Sequence, residues 1–256
     1  MVRQPKAKHY QRTHGPPAEG QTLSADPRSA DRRSNITSGP TVRRPKVKHY
    51  ISMIGIRNII FDLGGVIINL DNQRTEDAFT AMGVKPFREY FGHGHASSFF
   101  KDYEVGDISD QQFVDEIRNL TGVAATDEEI VRAWNALLLD FPPERIQLLK
   151  ELRKTYRIFL FSNTNSLHLS ALQQIYRNTF SDGELDDHFE KSYYSHTLKM
   201  RKPDVASFQY ILKENELKGE ETLFVDDALI NVEGAEKAGL KGLFLRPGTT
   251  ITDFQW

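Results

Sequence analysis

Ile56-Arg57-Asn58-Ile59-Ile60-Phe61-Asp62-Leu63-Gly64-Gly65-Val66 is the stretch from which the rest of the chain is read. Its apolar residues are β-branched or aromatic and stand at consecutive positions. A run of that kind reads as a strand buried on both faces, as in parallel sheets. It stops on an acid, and two glycines follow. Glycine lets the backbone turn sharply and approach a bound group closely. Asp62 is therefore a carboxylate at the end of a buried strand, placed either to attack an electrophile or to begin a tight turn.

Similar runs recur downstream. Arg157-Ile158-Phe159-Leu160-Phe161 ends at Ser162, Thr222-Leu223-Phe224-Val225 ends at Asp226-Asp227, and Lys241-Gly242-Leu243-Phe244-Leu245 is a fourth. Helical patterns separate them. Pro142-Pro143-Glu144 opens one carrying Ile146, Leu149 and Leu152, and Asn165 to Tyr176 forms another. Asp204 to Leu212 follows, with Pro203 read as its first helical residue, and Ile230 to Ala238 is closed by Gly239. Alternating strands and helices predict an α/β fold, a Rossmann-like parallel sheet with helices on both faces.

Residues 72–140 break the alternation. They show helical periodicity, with Thr126 as an N-cap before Asp127-Glu128-Glu129. This stretch is too long for a simple crossover and is expected to be an all-helical cap inserted into a core made of residues 53–71 and 141–256.

Charge divides the chain differently. Residues 1–50 hold 11 Lys and Arg against 3 acids, whereas the remainder holds 22 against 32. Residues 1–52 are rich in Pro, Gly, Ser and basic residues, without apolar periodicity, and are expected to be a disordered basic tail. A nine-residue motif starting at Val2 returns in near-identical form at Val42. It reads as a paired anion-binding motif, as an Arg-rich targeting segment, or as sequence upstream of a natural start at Met53. A charge run by itself argues only weakly for a nucleic-acid partner. There are no cysteines, which excludes disulfides, thiolate metal sites and cysteine nucleophiles. The sequence has neither a secretory apolar stretch nor a membrane-length apolar run, so a cytoplasmic protein is expected.

Ligands of open parallel sheets sit beyond the carboxyl ends of strands. Asp62, Ser162 and Asp226-Asp227 are expected to converge there. The hydroxyl of Ser162 and the amides from Asn163 onward, at a helix N-terminus, suit an anion, although an ordinary N-cap looks the same. Lys202, in Met200-Arg201-Lys202-Pro203-Asp204, offers a cation for a phosphate and for Asp62. Two adjacent acids suit a hard cation such as magnesium.

In order and spacing these four motifs resemble those of the haloacid dehalogenase superfamily, over Met53 to about Arg246. Phe61 to Val66, Phe161 to Asn165 and Met200 to Asp204 look most similar to a bacterial subgroup that includes α-glucose-1-phosphate phosphatases. The helical insertion looks like the family's first type of cap. The resemblance implies a magnesium-dependent phosphatase acting on a small phosphorylated metabolite, most simply a sugar phosphate. Asp62 would be nucleophile and metal ligand, and Ser162 and Lys202 would hold the phosphoryl group, helped by Asn163, Gly64 and Gly65. Asp227 and Asp226 would complete the metal site with the Gly64 carbonyl, and Asn231 would support them.

One position departs from the pattern. The family usually carries a second aspartate two residues after the nucleophile, which protonates the leaving group and activates water. Here it is Gly64, a loss worth roughly 10²- to 10⁴-fold in rate where the leaving group is poor. Asp71, His93 and His95 are the candidate substitutes. The departure also keeps two other readings open: a 2-haloacid dehalogenase-like hydrolase, against which the acidic pair argues, and a non-catalytic binding protein of the same fold.

Overall fold

The computed structural model describes residues 49–84, 98–181 and 183–256, all within one compact unit, Pro45–Trp256. The central sheet has five parallel strands in the order β4-β3-β2-β5-β6, namely β2 (Asn58–Phe61), β3 (Arg157–Ser162), β4 (Lys191–Tyr194), β5 (Thr222–Asp226) and β6 (Lys241–Phe244). A separate parallel pair joins β1 (His49–Tyr50) to β7 (Phe254–Gln255).

Side chains alternate across a strand, and the sheet shows why its central strands are apolar throughout. Ile59, Phe61, Ile158, Leu160, Leu223 and Val225 enter one buried cluster, against α5 (Pro143–Leu152) and α6 (Ser166–Thr179). Ile60, Phe159, Phe161 and Phe224 enter another, with α8 (Val205–Glu214) and α9 (Leu229–Lys237). Each large side chain withdrawn this way contributes about 1.5–3 kcal/mol. Both layers are needed, because either face alone would leave half of these residues in water.

Between β2 and β3 stand α1 (Asn72–Ala81), α2 (Ser98–Glu104), α3 (Asp110–Thr121) and α4 (Asp127–Asn135). They have their own apolar centre, built on Phe79, Phe113, Ile117, Ile130 and Trp134. Their ends are written locally. Ser109 with Gln112, and Thr126 with Glu129, form reciprocal capping boxes, and Gly122 ends α3 in the left-handed conformation.

Several expectations need correction. The edge strand β4 was not anticipated. Its sequence, Lys-Ser-Tyr-Tyr, is exposed at Lys191 and half-buried at Ser192, so it lacks the continuous apolar signature of the inner strands. Residues 49–52 do not belong to a structureless tail, since His49–Tyr50 pair with β7 and Ile51 packs on the core. Residues 1–48 lie outside the described part. Pro203 does not open a helix: α8 starts at Val205 with Asp204 as N-cap, and the short α7 (Ser195–Leu198) precedes this segment.

Candidate active site

The sheet register assembles the site. Phe61 is level with Leu160 on one side and with Val225 on the other. Asp62 therefore lies level with Phe161 and Asp226, and Ser162 and Asp227 stand one residue further out. The Asp62 amide donates to Val225 O at 2.9 Å, which continues the ladder to Asp62.

Lys202 ties these ends together. Its side chain is almost completely buried, and Nζ lies 2.5 Å from Asp62 Oδ1 and 2.7 Å from Asp226 Oδ2. Asp226 is fully buried and its oxygens are heavily used, since Oδ1 also accepts the Ala228 amide and Asn231 Nδ2 reaches both oxygens. Asp226 thus serves first to hold Lys202, a different emphasis from its expected part in a metal site. Asn231 Nδ2 lies 3.2 Å from Asp226 Oδ1 and 3.1 Å from Oδ2.

The site holds more negative than positive charge. Burial pushes the Asp62 carboxyl up to about 7. The Lys202 ammonium opposes this, and the neighbouring charge of Asp226 adds to it. Burial and Asp226 also raise Asp227. Asp62, Asp226 and Asp227 each offer an oxygen within 4.8 Å of the others. Three carboxylates around one ammonium fit an added divalent cation, which would relieve that excess.

Gly65 makes the approach of Asp227 feasible. It has φ of +70°, and a Cβ there would collide with the Asp227 carboxylate. Its amide donates to Ile68 O at 2.9 Å, so this glycine shapes the loop and does not offer its N–H to a phosphate as expected.

Asn163 also differs from expectation. Its side chain accepts from Lys202 N and donates to Lys202 O, both at 2.9 Å. It clamps the lysine's backbone. Part of the helix N-terminus is committed too, since Asn165 Oδ1 caps His168 N and the Thr164 amide donates to Ser195 Oγ. Ser162 lines the cavity beside Asp62 and Lys202.

That cavity holds about 360 Å³ between sheet and insertion. Gly64 lies on its floor, and a Cβ on Gly64 would meet Leu70 Cδ1 at 2.7 Å. The end of the exposed Leu70 side chain would have to move to admit a carboxyl side chain there. Asp71 does not replace it: its Oδ1 caps α1 through Gln73 N at 3.0 Å, and it is not part of the cavity wall. His93 and His95 lie outside the described residues.

The wall also carries groups from the helices around it. Phe100 and Glu104 come from α2, Trp134 from α4 and His168 from α6. The i, i+4 spacing of Phe100 and Glu104 was the available signal, since it puts both on one helical face. The His168 ring stacks on Trp134 at 4.8 Å, and its Nδ1 lies 2.7 Å from Asn135 Oδ1. Burial pushes its imidazole down to about 3, so it is neutral and carries no proton to give near pH 7.

Comparison with known proteins agrees with this geometry. The profile of the haloacid dehalogenase-like hydrolase family matches residues 56–239. A D-ribitol-5-phosphate phosphatase of Bacteroides thetaiotaomicron is 31% identical over 188 residues, 73% of this chain and 90% of that protein. A sesquiterpene phosphatase of Aspergillus oryzae is 24% identical over 73% of this chain and 88% of its own length. A wild-type enzyme of the same family from B. thetaiotaomicron, crystallised with magnesium and inorganic phosphate, superimposes with a TM-score of 0.69 at 34% identity. That match covers 76% of this chain and 96% of the crystallised one.

Proposed function

The chain belongs to the haloacid dehalogenase-like hydrolase family, and from that membership we propose that it is a phosphatase that uses magnesium and cleaves a small phosphate monoester through Asp62. The observation that carries the reading is the contact of Asp62 with Lys202 inside a group of three carboxylates able to hold a cation. The likeness to a D-ribitol-5-phosphate phosphatase supports a polyol or sugar phosphate as substrate.

In this mechanism a carboxylate oxygen of Asp62 attacks phosphorus, the bond to the alcohol oxygen breaks, and that oxygen takes up a proton. Water then attacks the acyl phosphate, releasing inorganic phosphate and restoring Asp62. Lys202 opposes the upward push of burial on the Asp62 carboxyl and faces the charge of the transferring group, and Ser162 adds a hydroxyl to the same pocket. Asp62, Asp227 and the Gly64 carbonyl would hold magnesium, with Asp226 beside them. Bound magnesium supplies charge neutralisation between carboxylates and phosphate. The cleft between sheet and helical insertion shields the reacting atoms from water.

A second reading, a phosphate of an apolar alcohol, is favoured by Leu70, Phe100, Leu137, Leu138 and Leu172 on the cavity wall and by the likeness to a sesquiterpene phosphatase. The test is a panel of polyol, sugar and isoprenyl monophosphates, assayed with and without magnesium beside Asp62→Asn. Turnover of one class, dependent on magnesium and abolished by Asp62→Asn, supports the reading. Activity that survives Asp62→Asn removes it.

A further inference from the structure

We propose that Glu104 is a specificity-determining residue whose carboxylate accepts a hydrogen bond from a hydroxyl of the leaving group, so that the site selects a hydroxylated alcohol over a bare hydrocarbon chain. This rests on the phosphatase reading above and concerns the same cavity.

Glu104 ends α2 and contributes to the cavity wall. Its backbone is pinned, because its carbonyl accepts Ser195 Oγ at 2.6 Å. Its Oε2 is buried 2.6 Å from Arg201 Nη2, next in sequence to Lys202. That ion pair fixes the position of the group. Yet the pair is not aligned as a hydrogen bond, and the buried Arg201 Nε has no partner among the described residues. The other oxygen, Oε1, is solvent-accessible and has no partner among the described residues either. About a third of the side chain remains exposed.

Several other polar groups of that wall are already occupied. Asn163 clamps Lys202, Asn165 caps α6, Asn231 serves Asp226, and His168 Nδ1 meets Asn135. The same wall carries the apolar side chains Phe100, Leu137 and Leu138. A fixed acceptor with one open oxygen on such a wall calls for a donor from the ligand, because an unpaired acceptor desolvated by binding is costly. A phosphoryl group has no donor to offer and is repelled by a carboxylate. The donor must therefore be on the alcohol.

The test compares kcat/KM for D-ribitol 5-phosphate and n-pentyl phosphate, which share chain length but differ in hydroxyls, using the full chain with saturating magnesium. The wild type is expected to prefer the polyol ester. Glu104→Met, which keeps length but removes the acceptor, is expected to lower the ratio of the two constants roughly ten- to a hundredfold, mostly through KM of the polyol ester. Glu104→Gln keeps an acceptor of the same reach without the charge, and its ratio is expected to fall between the two. If Glu104→Met does not fold, the Gln variant carries the test. A ratio that stays at the wild-type value, including one in which both constants fall together, overturns the proposal. So does a wild-type ratio near one. Failure of the wild type to turn over either ester overturns the phosphatase reading on which the proposal stands.

Discussion

Asp62→Asn without magnesium is expected to stabilise the protein, increasingly so as pH rises from about 4 to about 7. In the wild type the burial of Asp62 raises its carboxyl from the ordinary 3.8 to about 7. The folded chain then holds a proton that the unfolded chain releases. Stability from this group is complete below about pH 4 and is lost as pH rises to about 7. The full loss is on the order of 4 kcal/mol, since each pH unit separating the folded and unfolded values is worth about 1.4 kcal/mol. Asparagine resembles the protonated acid and carries no such loss. The stability gap between variant and wild type should therefore open by roughly 3 kcal/mol between pH 5 and pH 8. For a folded part of this size that is about 6–12 °C in Tm. Thermal melts in EDTA at the two pH values measure it, and saturating magnesium should lift the wild type more at pH 8 than at pH 5. An Asp62→Asn protein that melts below the wild type at pH 8 would refute the reasoning, since the ion pair with Lys202 would then outweigh burial.

Lys202→Met leaves Asp62 and Asp226 buried without their cation, and urea unfolding at pH 8 should show a loss of about 3–5 kcal/mol with activity abolished. Unchanged stability would mean the charges are solvated. Asn163→Ala removes both clamps on the Lys202 backbone, and steady-state kinetics should show kcat falling about tenfold or more with little change in KM. Gly65→Ala puts a Cβ against Asp227 at a backbone angle that disfavours it, so calorimetric titration should show weakened magnesium binding together with lower stability. Gly64→Asp supplies a carboxylate at the cost of moving only the end of the exposed Leu70 side chain, so it should speed turnover of esters with poor leaving groups, read from rates on alkyl against aryl phosphates.

The inner strands of the sheet were legible because burial on both faces demands consecutive apolar residues, as in Ile59-Ile60-Phe61 and Leu223-Phe224-Val225. The capping box at Thr126 and Glu129 was legible for a similar reason, since it is written in four adjacent residues. β4 was not, because an edge strand is pinned on one side only and tolerates Lys191 and Ser192. Within the site, residue type announced which groups would gather but not how they would be shared. Asn163, Asp71 and Gly65 have the right chemistry for a ligand, and each is taken by a backbone partner that only the folded geometry reveals. Glu104 escaped notice because it belongs to a helix that meets the sheet only in three dimensions.

The central claim is that Asp62 becomes covalently phosphorylated. Acid quenching during turnover with magnesium, followed by peptide mapping of the labelled protein, tests it directly. The account predicts phosphate on the peptide that contains Asp62, formed at a rate no slower than turnover and absent from Asp62→Asn. Turnover with no trapped phosphoprotein, or with the label on another residue, would contradict it.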